Sequence, residues 1–304
     1  MAAILDADGT RQLLQPEHVI GRAPGCALRI EERYVSAQHA TLRWTDAGWE
    51  LKDLGSRNGT YLDGQRLTSG KEYPLRRGAR IAFGMATPEW ELVDDSPPAV
   101  MVVPLDAGDP VIVDGEILAL PSSDDPLATL FRDTDGSWLI EYQNDATTAI
   151  TDQQTFEVNG SPYRFCCPEA VCKTSIANPP LEVGQVWLNF SVSRDEEHVH
   201  LQATCALESF DLGARGHHYL LLTLARRRLE DAAAGLPETS CGWVYQEDFS
   251  HDASMRGQQL NVDVFRIRKQ FAALPVVDAA KIIERRPRTR QLRIGTGRLS
   301  VVVL

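Results

Sequence analysis

Three short groups of residues carry the types and spacing from which chemistry can be built: Gly21-Arg22, Ser36-Ala-Gln-His39 and Ser56-Arg57-Asn58-Gly59-Thr60. Arg22 brings a permanent cation and a planar fork of N–H groups. Ser36 brings a short hydroxyl, and Asn58 an amide that donates and accepts at once. Arg57, next to Asn58, adds a second charge. Gly21 and Gly59 read as backbone requirements, places where a tight turn or close packing leaves no room for a side chain. This is binding chemistry. The chain has no Gly-rich phosphate loop of the P-loop type, no Gly-x-Ser-x-Gly elbow and no His-Glu-x-x-His, so no enzyme is expected. Cys166, Cys167 and Cys172 crowd together without the C-x-x-C zinc pattern, and His198 and His200 share a strand face without a third ligand. No metal or cofactor is expected.

In this order, and with strand patterns between them, the three groups resemble the forkhead-associated (FHA) domain, a phosphothreonine-reading β-sandwich. Strand-like Thr60-Tyr-Leu62 and Gly78-Ala-Arg-Ile81-Ala-Phe83-Gly84 follow them. A phosphothreonine carries about −1.5 to −2 charge and three acceptor oxygens, so its reader needs donors fixed at the end of a rigid scaffold. The resemblance implies that Arg22, Ser36 and Asn58 are those donors, with Arg57 beside them as a phosphopeptide-binding residue. It also implies that His39 buttresses the loops from beneath, a structural support together with Gly21 and Gly59.

The elements that must position these residues are short strands. Ala40-Thr-Leu42-Arg-Trp44 and Trp49-Glu-Leu51 alternate around Thr45-Asp-Ala-Gly48, a hairpin pattern, and Asp63-Gly64 marks another tight turn. Such patterning suits a sandwich that presents loops at one end. Asp94-Asp-Ser-Pro-Pro98 closes the unit, so residues 1–96 form the first expected domain.

The chain of 304 residues has room for two or three domains. It shows neither a secretion-signal pattern nor an apolar run near membrane-spanning length. The expected location is the cytoplasm, with reduced cysteines and no membrane partner. The net charge of −11 is unevenly spread. Residues 1–95 hold 12 basic and 14 acidic side chains, a net −2, whereas residues 96–180 hold 3 and 13, a net −10. Residues 181–304 hold 16 and 15, a net +1, and within them residues 262–304 hold 10 and 3, a net +7. An acidic middle and a basic end are therefore judged by segment.

The middle, residues 97–177, reads as a worn second copy or as an unrelated small β domain. Leu127-Ala-Thr-Leu130 and Asp135-Gly-Ser-Trp138-Leu-Ile-Glu141 echo His39-Ala-Thr-Leu42 and Ala47-Gly-Trp49-Glu-Leu51. Asn159-Gly-Ser-Pro-Tyr-Arg-Phe165 is aligned with Ser69-Gly-Lys-Glu-Tyr-Pro-Leu75. Leu118-Ala-Leu120 stands at the Gly-Arg step, Leu127 at the histidine, and no Asn-Gly follows. A repeat of this kind has lost its phosphate site. Ile176-Ala-Asn-Pro-Pro180 reads as a second linker.

Residues 178–304 open with a hairpin, Val186 to Ala203, and then Tyr219-Leu-Leu-Leu-Thr-Leu-Ala225 starts a helix that is apolar nearly all round and so buried. Leu260-Asn-Val-Asp-Val264-Phe-Arg266-Ile-Arg268-Lys269-Gln-Phe271 matches, without a gap, the recognition helix of the winged-helix output domain of two-component response regulators. Val244-Tyr-Gln-Glu-Asp-Phe249 matches an earlier helix start of that family, although Tyr245 stands where it has a capping serine. Ile282-Ile-Glu-Arg285-Arg286 and Gln291-Leu-Arg293-Ile294 match the wing strands, without the family's Gly-x-Gly-Tyr ending. The resemblance implies a winged helix-turn-helix domain of the α+β class behind a mainly β N-terminal part. It also implies double-stranded DNA contacts by Arg266, Arg268 and Lys269 on the helix and by Arg285, Arg286, Arg288, Arg290 and Arg293 around the wing. A winged helix that contacts protein stays open beside it. The reading is a phosphothreonine-recognising regulator coupling Ser/Thr kinase signalling to DNA, or a phosphodependent adaptor. In either case the partner is a phosphothreonine-containing protein, a Ser/Thr kinase or its substrate.

Overall fold

A computed structural model describes residues 2–87, 89–106, 108–167, 181–249, 257–286 and 288–304, without the side chains of residues 257 and 258. The linker read at 176–180, Cys172 and the hairpin-tip Pro287 lie outside the described residues. The chain divides into two compact units, Met1–Val102 with Phe165–Thr174 and Val103–Arg164 with Ser175–Leu304.

The first unit is built from β1 (Ala3–Asp6), β2 (Arg11–Leu13), β3 (Glu17–Gly21), β4 (Leu28–Arg29), β5 (Ala40–Thr45), β6 (Gly48–Asp53), β7 (Thr60–Leu62), β8 (Gln65–Arg66), β9 (Glu72–Pro74), β10 (Arg80–Phe83) and β11 (Trp90–Asp94). They form two sheets, ordered β2-β1-β11-β10-β7-β8 and β4-β3-β5-β6-β9. Alternation decides which face is inside: in β6 Trp49, Leu51 and Asp53 are buried, while Lys52 between them is not. Ile4, Ile20, Leu42, Trp49, Leu51, Ile81, Phe83 and Leu92 fill the core. The two hairpin signals are realised. Thr45 pairs with Gly48 across a two-residue turn, and Asp63 and Gly64 both take positive φ (50° and 80°) between β7 and β8, the conformation a two-residue turn of type I′ needs.

Two four-stranded sheets follow, from β12 (Met101–Pro104), β13 (Val111–Ile112), β14 (Ile117–Ser122), β15 (Asp125–Arg132), β16 (Trp138–Tyr142), β17 (Thr147–Ile150), β18 (Thr155–Val158) and β19 (Ser161–Cys166). Their orders are β13-β12-β19-β18 and β14-β15-β16-β17. These repeat β2-β1-β11-β10 and β3-β5-β6-β9 strand for strand. The register agrees too. Leu118 faces Leu130 and Leu130 faces Ile140, as His18 faces Leu42 and Leu42 faces Leu51. Two details of the sequence alignment are corrected. Asn159 and Gly160 form the turn between β18 and β19 (φ 50° and 80°), so Ser161–Cys166 stands at the place of β11 rather than of β9. Counted from the Leu118 pairing, Pro121-Ser122 rather than Leu118-Ala-Leu120 takes the Gly21-Arg22 position.

The remaining elements are β20 (Trp187–Val192), β21 (Val199–Cys205), β22 (Glu208–Ala214), α1 (His218–Ala233), β23 (Val244–Tyr245), α2 (Gln246–Phe249), α3 (Gly257–Phe271), β24 (Ile283–Arg286), β25 (Gln291–Ile294) and β26 (Leu299–Val303). The expected hairpin is β20–β21, in a sheet ordered β22-β21-β20-β26, and β23-β25-β24 forms a small three-stranded sheet. In α1, Leu220, Leu221, Leu222, Leu224 and Ala225 are all buried, as a helix apolar on most sides must be. It stops at Gly235 (φ 78°), where Leu236 N–H reaches the Asp231 carbonyl and Gly235 N–H the Ala232 carbonyl, a Schellman ending. In α3, Leu260, Val264, Ile267 and Phe271 recur at three- and four-residue steps and join the same core as α1. Among the described residues no helix is long and apolar enough to cross a membrane.

Candidate functional site

The site is assembled where β3 ends. Arg22 N–H donates to the Ser36 carbonyl (2.9 Å) and Ala23 N–H to the Ala37 carbonyl (3.0 Å), so the loop leaving β3 lies along the loop entering β5. That approach is why position 21 is glycine: a Cβ there would run into the Ala37 carbonyl. Arg22 is exposed, and its Nε–H donates to the Val35 carbonyl at 3.4 Å, which sets the guanidinium beside Ser36.

A second loop, between β6 and β7, is stitched to the first. Arg57 N–H donates to the Ser36 hydroxyl (3.1 Å), and the Asn58 amide donates to the Tyr34 carbonyl (2.8 Å). His39 is fully buried beneath both. Its Nδ1 accepts the Ser36 N–H (3.1 Å), which places the ring proton on Nε2, 3.1 Å from the Gly59 carbonyl. Burial lowers the His39 pKa, against smaller opposing effects from the Gly59 carbonyl and Asp53, so the ring is neutral. His39 is therefore a physical tie between the two loops.

Asp53 was not singled out from the sequence, yet it organises the second loop. One carboxylate oxygen accepts the N–H groups of Gly55 (2.9 Å) and Ser56 (3.0 Å), and the other accepts the hydroxyls of Ser56 (2.5 Å) and Thr60 (2.7 Å). Ser56 Oγ in turn accepts the Gly59 N–H (3.0 Å). Burial pushes the Asp53 pKa up, but these hydrogen bonds outweigh it and hold the group at about 2, below the ordinary 3.8. With the folded value below the unfolded one, its stabilising contribution is complete above the ordinary value. It is lost as pH falls from there through the folded value. Asp53→Asn is expected to lower the melting temperature at neutral pH and to flatten the acid limb of the pH–stability curve between those two values. Thermal melts across that range, read on the first unit, measure both.

The profile of the FHA domain matches residues 18–84. Residues 18–84 are an FHA domain. FHA domain-containing protein FhaB of Mycolicibacterium smegmatis is 40% identical over 74 residues, which are 24% of this chain and 48% of that protein. Its namesake from Mycobacterium tuberculosis is 39% identical over the same shares. The chain thus spans about half the length of the curated relatives it matches. A chain from a structural and functional analysis of phosphothreonine-dependent FHA domain interactions is 29% identical. The match covers 27% of this chain and 86% of that one, with a TM-score of 0.25.

The FHA domain brings Arg22, Ser36, Arg57 and Asn58 together over His39, Gly21 and Gly59. The C-terminal cations are treated differently. Arg268 and Arg285, expected to contact DNA, are buried, with side chains 4% and 6% exposed, both against Glu141. Helices expose only the faces that nothing covers, and here β15 and β16 cover one. Arg266 and Lys269 stay half exposed and meet Asp124 (3.1 Å) and Asp114 (3.7 Å). Arg286 and Arg293 flank the Trp243 ring, at 3.8 and 4.6 Å from its centre, and Arg288 and Arg290 are exposed.

Proposed function

We propose that the FHA domain binds phosphothreonine peptides and that the chain is a phosphothreonine-dependent signalling adaptor. The observation that carries this reading is the stitched pair of loops, which holds Arg22, Ser36 and Asn58 on one rigid frame. Donors fixed in advance lose little entropy when an anion arrives. Arg22 supplies the charge-assisted hydrogen bonds, Ser36 a hydroxyl, Asn58 a clamp on the peptide backbone, and Arg57 a further cation. The partner is a protein phosphorylated on threonine, a Ser/Thr kinase or its substrate.

Residues 97–177 are proposed as a second FHA-like sandwich without a phosphate site. The repeated strand order supports it, and by register Pro121-Ser122, Leu127 and Tyr142 stand where the first copy has Gly21-Arg22, His39 and Asp53. Residues 178–304 are proposed as a winged helix-turn-helix domain, supported by the sequence of sheet, three helices and the hairpin β24–β25 with β23 on its edge. A DNA-binding regulator remains the second reading. Burial of Arg268 and Arg285 favours the adaptor over it.

The test is a titration of the full chain with a degenerate peptide library fixed on phosphothreonine, its phosphoserine counterpart and its unphosphorylated form. Binding is expected for phosphothreonine, weaker binding for phosphoserine, and none without phosphate. Equal binding with and without phosphate overturns the proposal.

A further inference from the structure

The acidic middle and the basic end are not separate surfaces. Glu141, on the outer face of β16, accepts both terminal nitrogens of Arg268 (2.9 and 3.3 Å) and lies 3.2 Å from Arg285 Nε. Arg285 also pairs with Asp145, which is 1% exposed and accepts Gln246 Nε2 at 2.9 Å, and with Asn261 Oδ1 at 3.1 Å. Arg268 is further held by the Ile283 carbonyl (2.9 Å) and lies over the Phe131 ring. Around this ionic core Ile117, Ala119 and Phe131 pack against Phe265 and Ala280. At the rim Arg266, Lys269 and Lys281 meet Asp124, Asp114 and Asp133.

We infer that the acidic sandwich is the permanent partner, in cis, of the basic face of α3 together with Lys281 and Arg285 beside it: it is a built-in polyanion that stands where nucleic-acid phosphate would otherwise lie on that face. This sharpens the adaptor reading of the C-terminal part and is independent of peptide binding by the FHA domain. Each of the five carboxylates named above meets a cation of the segment that carries +7. The rim pairs alone would be a salt-labile latch, because exposed pairs are weak and screened. The apolar cluster and the buried pairs are not screened in this way, and the covalent connection keeps the two surfaces at high effective concentration. The ionic core fixes the register, and the apolar contacts supply the adhesion. The same sheet face differs between the two sandwiches. In the FHA domain the position matching Phe131 is Arg43, exposed, and the position matching Glu141 is Lys52, paired with Glu72. In the second sandwich that face seats α3.

The experiment uses the full chain. Hydrogen–deuterium exchange at low and high salt is expected to show α3 protected to the same degree as β15 and β16, with less than a twofold change on adding salt. A fluorescent mixed-sequence duplex titrated at low salt is expected to show no binding that depends on Arg266 or Lys269. Because a single change at the ionic core can unfold the chain, the paired variant Glu141→Gln with Arg268→Met, which keeps the Arg285–Asp145 pair, is measured as well. Its α3 protection is expected to stay within about threefold of the parent. Three results would each overturn the inference: α3 opening on addition of salt while β15 stays protected, loss of α3 protection alone in the paired variant, or duplex binding weakened tenfold or more by Arg266→Ala or Lys269→Ala.

Discussion

Arg22→Ala is expected to weaken phosphothreonine-peptide binding by about tenfold or more, because hydrogen bonds to charged groups contribute about 1.5–3 kcal/mol. The side chain is exposed and makes one long bond to the Val35 carbonyl, so the melting temperature should stay near that of the parent. Arg22→Lys keeps the charge and loses the planar fork, and should fall between the two. Calorimetric titration of the three proteins with one phosphopeptide separates these cases. An alanine variant that binds as well as the parent would remove Arg22 from the site.

Glu141→Ala is expected to destabilise the second unit by about 3–5 kcal/mol, the cost of leaving buried charge without its partner. Both Arg268 and Arg285 lose a carboxylate they cannot replace with water at 4% and 6% exposure. Burial pushes the Glu141 pKa up, but the two guanidinium groups outweigh it and hold the carboxyl below its ordinary value. Its contribution is therefore present above the unfolded value and is lost as pH falls through the lowered one. The control is Asp124→Ala, which removes an exposed rim pair and should cost no more than about 1 kcal/mol. Denaturant unfolding of both variants checks the ratio; equal effects would mean that the buried pair contributes nothing special.

The legible parts of this molecule were those encoded locally. Gly21-Arg22, Ser36 to His39 and Ser56 to Thr60 are each contiguous, and the hairpins on either side of them follow from two-residue alternation. Val264, Ile267 and Phe271 mark the buried stripe of α3 by spacing alone. Asp53 is not legible locally, because an aspartate before Leu-Gly-Ser looks like any turn residue. Its role depends on four donors that only the folded loop aims at it. The burial of Arg268 and Arg285 is illegible for the opposite reason. Their partner Glu141 is 127 residues from Arg268 in the chain, and no spacing rule reaches so far. The opposed charges of residues 96–180 and 262–304 were the available signal.

His39 has one further consequence. A ring that accepts from Ser36 N–H and donates to Gly59 spends both nitrogens on shape, and it can do so only while it carries a single proton. Its burial keeps that state through neutral pH. The same burial works against loosening of the loops on acidification, whereas the second ionisation of a phosphate begins to reverse toward about pH 6. Acidification would thus act directly on the charge of a phosphopeptide, while the burial of His39 opposes any change in the frame proposed to hold it.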